Sequence, residues 1–263
     1  MATYLLFTLA APLASFGTVA AGERRSTWDR PGKSQIIGLI AGCLGIERSD
    51  EAGQANLAAG LGFAVRIDHP GVLETDYHTT QAPKEVELKR WAKKHGPVQT
   101  RADELATDDL KTILSQREFR TGSHYTVALW RTGDTAPTLA AIQSALITPV
   151  FAPFAGRKAN PLMLPFAPHV LDAARIEDAF PAFDALETSQ IRALKSHLRL
   201  KLNANAPVYA DSSAVPVNER ATRVSRLEER RDLPESRSKW RFGLRSEVLL
   251  KSPPCTSNQG GRS

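Results

Sequence analysis

Pro31-Gly32-Lys33-Ser34-Gln35-Ile36-Ile37-Gly38-Leu39-Ile40-Ala41-Gly42-Cys43-Leu44-Gly45-Ile46 reads as a basic, Gly-opened loop running into an apolar helix from about Ser34 to Ile46. Glycine costs roughly 1 kcal/mol against alanine inside a helix. Gly38, Gly42 and Gly45, with Ala41, therefore ask for a reason, and close packing against a sheet supplies one. Lys33, the Ser34 hydroxyl and the free amides of a helix N-terminus make an anion site, which points to a nucleotide or nucleic-acid partner. Gly32-Lys33-Ser34 also resembles the end of a P-loop. That motif needs a glycine where Thr27 stands, and no strand directly precedes it, so nucleotide hydrolysis is not expected.

Outward from this helix the elements alternate. Tyr4–Ala10 reads as a buried first strand. A second helix is expected over Asp50–Ala59, with Ser49 as its cap and Gly60 and Gly62 beyond it. Phe63–Asp68 alternates at period two and Tyr125–Trp130 returns as a strong strand, followed by a helix over Thr138–Leu146 behind Pro137. Between the strands, from about Gly71 to Ser123, lies a polar insertion that is either an ordered arm or partly disordered. Phe151-Ala152-Pro153-Phe154 suits an edge strand or a loop because of its proline. The order predicts an α+β protein with a ferredoxin-like (RRM-like) βαββαβ domain and a long insertion.

The reading places that domain at residues 1–165, a β-rich basic region at 166–252 and a disordered tail at 253–263. In the middle region, 184–203 is open to a helix or a polar strand pair, and Ser196–Leu202 alternates like a strand. Pro207–Ala210 and Glu247–Leu250 are short strand candidates.

With 263 residues, 42% hydrophobic and 24% charged, the chain can bury a real core. Its formal charge is +6, a mild excess that favours polyanions. Nearly all of it sits between Arg220 and Lys251, where ten Lys/Arg face five Asp/Glu; a solvated, salt-bridged face is the competing explanation there. Cys43 and Cys255 are far apart, which suits a reducing compartment, and no His, Cys and carboxylate spacing suggests a metal. No cofactor is expected. The uncharged start, Met1–Gly22, could pass for a signal peptide, but it lacks Lys or Arg near Met1 and Pro12 interrupts it. A first strand, a cytoplasmic location and no membrane partner are the expectation.

Asp76-Tyr77-His78-Thr79-Thr80 opens the insertion with an aromatic ring, an imidazole and hydroxyls. Such a pair can perform acid/base chemistry on a ribose 2′-hydroxyl, or stack and hydrogen-bond bases, or simply form a capped surface turn. Arg117 and Arg120 close the insertion, and Gly156-Arg157-Lys158 forms a second basic loop whose glycine lets a ligand approach. Basic loops interleaved with Tyr, Phe and Trp suit single-stranded RNA.

These segments, in this order, resemble the CasD family, the subunit that caps the RNA 5′ end in subtype I-E CRISPR Cascade complexes. The residues carrying the resemblance are Tyr4-Leu5-Leu6, Ala11-Pro12-Leu13, Lys33-Ser34, Gly38-Leu39, Gly42–Ile46, Phe63–Arg66, Asp76–Thr79, Arg117–Phe119, Thr126–Trp130, Gly156–Lys158 and Pro161-Leu162. It spans roughly residues 4–165 and fades beyond. It implies a ferredoxin-like domain whose insertion, about 72–123, is a thumb that engages the neighbouring backbone subunit. It further implies that Lys33, Ser34, Tyr77, His78, Arg117, Arg157 and Lys158 lie near the 5′ handle of the CRISPR RNA (crRNA). Contact with the large subunit, and through it indirectly with target DNA, is also implied, with no catalytic residue. A sister branch that cleaves repeat RNA supplies the alternative, a metal-independent endoribonuclease using Tyr77 or His78 with Lys158. The Arg-rich C-terminal region, and Arg24-Arg25, fall outside the resemblance; an added RNA or DNA backbone contact is one expectation for that region.

Overall fold

A computed structural model describes residues 1–18, 22–107, 109–200, 203, 206–236, 239 and 241–251. In chain order it forms β1 (Ala2–Ala14), β2 (Arg24–Arg25), α1 (Lys33–Leu44), α2 (Glu51–Gly60), β3 (Leu61–His69), β4 (Val72–Pro83), α3 (Glu85–His95), α4 (Arg101–Leu105) and β5 (Leu110–Arg131). Then come α5 (Leu139–Ile147), β6 (His169–Ala173), α6 (Ile176–Ala185), α7 (Ser189–His197), β7 (Val208–Asp211), α8 (Arg220–Arg223), β8 (Val224–Ser236) and β9 (Arg241–Leu250). All strands join one sheet, whose main path runs β6-β1-β5-β3-β7-β9-β8. Along that path every pairing is antiparallel.

Strand alternation sorts the core onto two faces. Leu5, Phe7 and Leu9 of β1, Phe63 and Val65 of β3, and Val127 and Leu129 of β5 face α1 and α5, burying Ile36, Ile37, Ile40 and Ile142. Tyr4, Leu6, Ala64 and Ala128 point the other way, into a second cluster with Ile176, Ala179, Phe180 and Phe183 of α6. Two bidentate guanidinium forks clamp α6 there. Arg66 binds Asp184 at 2.7 and 2.8 Å, and Arg223 binds Glu177 at 2.9 and 2.6 Å.

The described residues of the insertion take the ordered of its two alternatives. β4 and the first half of β5 form an uninterrupted antiparallel ribbon from Val72↔Thr121 to Pro83↔Leu110, with α3 and α4 at its tip. β5 thus runs continuously for 22 residues from thumb to sheet centre. Its polar half gave no burial alternation, which is why only Tyr125–Trp130 was legible as strand.

Several local expectations need correction. The cap of α2 is Asp50, whose carboxylate accepts from the Gly53 N–H at 2.9 Å, not Ser49. Gly42 of α1 has nothing within 4 Å of where a Cβ would sit, so packing does not require it; its carbonyl accepts from the Phe151 N–H. Gly45 is the left-handed C-cap, at φ 78°. Residues 151–154 take the loop reading of the two expected for them, with a lone bridge from Phe154 to Pro161, and the strand beside β1 is β6, further on. Ser196 and His197 are helical, because the Thr188 cap starts α7 and the buried Lys195 ammonium pairs with Glu187 at 2.5 Å. Residues 201–202, the tail 253–263 and Cys255 lie outside the described residues. Among the described residues, no helix is long and apolar enough to cross a membrane.

Candidate nucleic-acid interface

The basic start of α1 has a different fate from the one its sequence suggests. Lys33 is only 7% exposed, and its ammonium pairs with Asp211 of β7 at 3.0 Å. The Lys33 N–H donates to the Asp232 carboxylate of β8 at 2.8 Å, so the chain's own anion occupies the helix N-terminus. A Cβ on Gly32 would lie 2.5 Å from that carboxylate, which explains the glycine. The N-cap is Gly32, with its N–H on the Gln35 side chain at 2.7 Å, and Ser34 is buried.

Arg245 completes this network, reaching Asp232 at 2.8 Å, Asp211 at 2.7 Å and Glu247 at 2.7 Å, while Arg30 holds Glu247 at 2.5 Å. Burial alone would lower the Arg245 pKa, but Asp232, Asp211 and Glu247 together raise it above the usual arginine range. Buried Arg230 lies between Asp232 and Glu247, at 3.5 and 3.8 Å, and stacks on Trp28. Much of the Arg-rich C-terminal stretch is spent this way. Arg223 pairs with Glu177 and Glu219, Arg226 with Glu228, and Arg241 with Glu235. For these residues the structure shows the salt-bridged face that was one of the two expectations.

The base of the thumb is built differently. Directly opposed residues of a ladder share a face and neighbours along a strand alternate. The register Asp76↔Arg117, His78↔Ser115 and Glu74↔Phe119 therefore puts Asp76, His78, Arg117 and Phe119 on one face of the ribbon. β2 pairs in parallel with the other edge of β5, Arg25 beside Arg117, and adds Arg25 to that face. This face continues the α1/α5 side of the sheet. Tyr77 falls on the opposite face, 63% exposed, where its hydroxyl accepts from the Gln116 amide at 2.9 Å. On that opposite face Arg24 holds Glu118 at 2.6 Å; burial pushes the Glu118 carboxyl up, but Arg24 and the Thr27 N–H hold it below the usual range.

Arg157 arrives from the 156–158 loop. Gly156 has φ 85° and would place a Cβ 1.9 Å from the Ser15 carbonyl oxygen, so only glycine fits this turn against β1. The Ser15 N–H donates to Ala155 O at 3.1 Å, and Asn160 ties the loop with a side-chain bond to the same carbonyl. So held, the Arg157 guanidinium lies 4.6 Å over the Phe119 ring. Burial, then the charges of Arg117 and Arg25, hold its pKa below the usual arginine range. Its Nη1 is buried without a hydrogen-bond partner. Arg25 donates to Gly22 O, Arg117 to the Ser115 hydroxyl, and none of the three arginines makes an ion pair among the described residues. Asp76, which faces Arg117 across the ladder, gives its carboxylate to His78 Nε2 at 2.6 Å. Lys158 is exposed beside Arg157.

Of the residues singled out from sequence, His78, Arg117 and Arg157 therefore converge, with Lys158 adjacent. Tyr77 lies behind them, and Lys33 and Ser34 belong to the buried network. Arg25 and Phe119 were missed as site residues. The Arg24-Arg25 pair was visible as a basic loop, but nothing local tied it to residues nearly a hundred positions away.

Comparison with known proteins defines the class. A family model described as CRISPR-associated protein (Cas_Cas5) matches residues 4–247, and the chain belongs to this family. Within it, the chain is 31% identical over 173 residues to "CRISPR system Cascade subunit CasD" of Escherichia coli (strain K12), covering 63% of this chain and 70% of that protein. Its fold is similar to a chain of a "CRISPR RNA-guided surveillance complex", with TM-score 0.59 and 21% identity over 96% of this chain and 92% of the other. A second solved structure, "Crystal structure of Cas protein", aligns with TM-score 0.53 and 22% identity over 94% and 95%.

Proposed function

We propose that this chain is the non-catalytic, cytoplasmic RNA-binding subunit of a type I-E Cascade surveillance complex, where it caps the 5′ handle of crRNA. In this reading the β4–β5 thumb engages the backbone subunit, and the body of the chain meets the large subunit. The observation that carries it is the Arg25–Arg117–Arg157 cluster beside Phe119, three cations held together with no ion-pair partner among the described residues. Like charges held together raise the free energy of the empty protein and are relieved by an anionic ligand.

The strand order β6-β1-β5-β3, with α1 and α2 between β1 and β3 and α5 between β5 and β6, supports reading the platform as ferredoxin-like. An RRM stacks bases on an open sheet face. Here α6 covers that face over Tyr4, Leu6 and Ala128, which favours RNA at the thumb base instead. Arg117→Ala combined with Arg157→Ala is expected to weaken handle binding and complex assembly while the free chain keeps its fold. A double variant that assembles a full complex with normal RNA occupancy at moderate salt would reject the proposal.

One observation favours the nuclease alternative: His78, oriented by Asp76, shares a face with Arg117. Tyr77 points away from that face and cannot join it. Incubation of the full chain with repeat RNA in EDTA separates the two readings. Intact RNA is expected; a cyclic-phosphate product that vanishes with a 2′-deoxy substrate would establish catalysis.

A further inference from the structure

We propose that Arg25, Arg117 and Arg157 close on a single phosphate group of the bound RNA, as a point clamp, rather than tracking successive phosphates. The inference rests on the RNA-binding reading above and goes beyond it in stoichiometry and in adding Arg25.

The geometry argues for convergence. Arg25 and Arg117 are laterally paired on adjacent strands, which lie about 4.8 Å apart. Phe119 is the next residue along the same face of β5, and the Arg157 guanidinium sits on its ring. Successive phosphates of a single strand are separated by a whole nucleotide, more than the spacing of two neighbouring strands. A fork from each of three directions, one with a buried N–H lacking an acceptor, instead matches the several oxygens of one phosphate. The nearby carboxylates are turned elsewhere: Asp76 to His78, Glu74 to the Thr121 hydroxyl and Glu118 to Arg24. The stack on Phe119 limits where Arg157 can go, so the clamp is organised before the ligand arrives.

Salt dependence distinguishes one phosphate from three. For single strands, log K falls against log salt with a slope of about 0.7 per phosphate neutralised. With the full chain and a labelled single-stranded handle RNA, each single Arg→Ala variant is expected to bind about tenfold more weakly with nearly unchanged slope. The triple variant Arg25→Ala/Arg117→Ala/Arg157→Ala should lose about 0.7 of slope. The matching triple Arg→Lys variant should keep the slope but bind more weakly, because charge survives and the fork does not. A triple Ala variant that loses about 2 of slope would overturn the clamp while sparing the RNA-binding reading. A triple Ala variant that binds as well as the parent would overturn both. Thermal melting of the variants, expected to fall only slightly because they lose the Arg157–Phe119 stack and the Arg25 and Arg117 hydrogen bonds but no ion pair, separates these outcomes from unfolding.

Discussion

Two arginine-rich clusters in this molecule resemble each other in sequence and differ in what surrounds them. Around the start of α1, Arg30, Lys33, Arg230 and Arg245 are buried with Asp211, Asp232 and Glu247. At the thumb base, Arg25, Arg117 and Arg157 share a face without an ion pair among the described residues. The first cluster joins β7, β8 and β9 to α1 and carries its own carboxylates, although Arg230 Nε and Nη1 are buried there without a hydrogen-bond partner. The second has no carboxylate within ion-pair distance among the described residues, and its repulsion is a cost that folding alone does not recover. Charge density identifies neither; the position of the carboxylates does.

The largest test of this contrast is Asp232→Ala. It removes the carboxylate at the α1 N-terminus, leaves Arg230 and Arg245 short of a counter-charge and takes the acceptor from the Lys33 N–H, at a cost of about 3–5 kcal/mol. Urea unfolding should show it as a lower midpoint with an unchanged slope; a loss below 1 kcal/mol would mean that the network is not structural.

Gly156→Ala comes next. The positive φ and the Ser15 carbonyl oppose a side chain, so a loss of about 1–3 kcal/mol is expected. RNA affinity should fall with it, because the loop that carries Arg157 shifts. A variant that keeps both full stability and parental RNA affinity would show the turn to be dispensable.

His124 sharpens the comparison as a buried base whose ring nitrogens both lack a hydrogen-bond partner. Burial, then the nearby Lys195 and Arg66 charges, lower its pKa to about 3. Because the folded value lies below the unfolded one of about 6.5, protons favour the unfolded chain. The stability contribution is whole above pH 6.5 and is lost as pH falls toward 3, by about 2 kcal/mol at pH 5. The His124→Leu variant should show a flatter stability profile across that window; an identical slope would contradict the assignment. The smallest effect is Arg117→Gln, which should leave the melting temperature of the free chain unchanged or slightly raised, since it relieves repulsion and breaks no ion pair. A clear drop in melting temperature would place Arg117 among the structural cations.

Much of the platform was legible because burial writes a period into the sequence. Tyr4–Ala10, Phe63–Asp68 and Tyr125–Trp130 are apolar or alternating, and all fall within strands; the α1 and α5 helices likewise show in their apolar runs. The thumb was legible only as an insertion, since a two-sided exposed ribbon has no buried face to impose alternation. His169–Ala173 carries too little pattern over five residues to stand out as β6. For the interface, the basic loop at Gly156 declared itself through a glycine that the backbone requires. Lys33 misled because its partners, Asp211 and Asp232, are nearly two hundred residues away. Long-range ion pairing leaves no local signature, so a cation to be used inside and one offered outward look alike in the chain.

The most direct test of the interface is zero-length photocrosslinking of the assembled complex, with a photoreactive nucleotide in the crRNA 5′ handle and peptide mapping of the adducts. The account predicts adducts within residues 22–30, 115–121 and 154–161, the three segments that bring Arg25, Arg117 and Arg157 together. Adducts confined to α6, α7 or the C-terminal strands would contradict it.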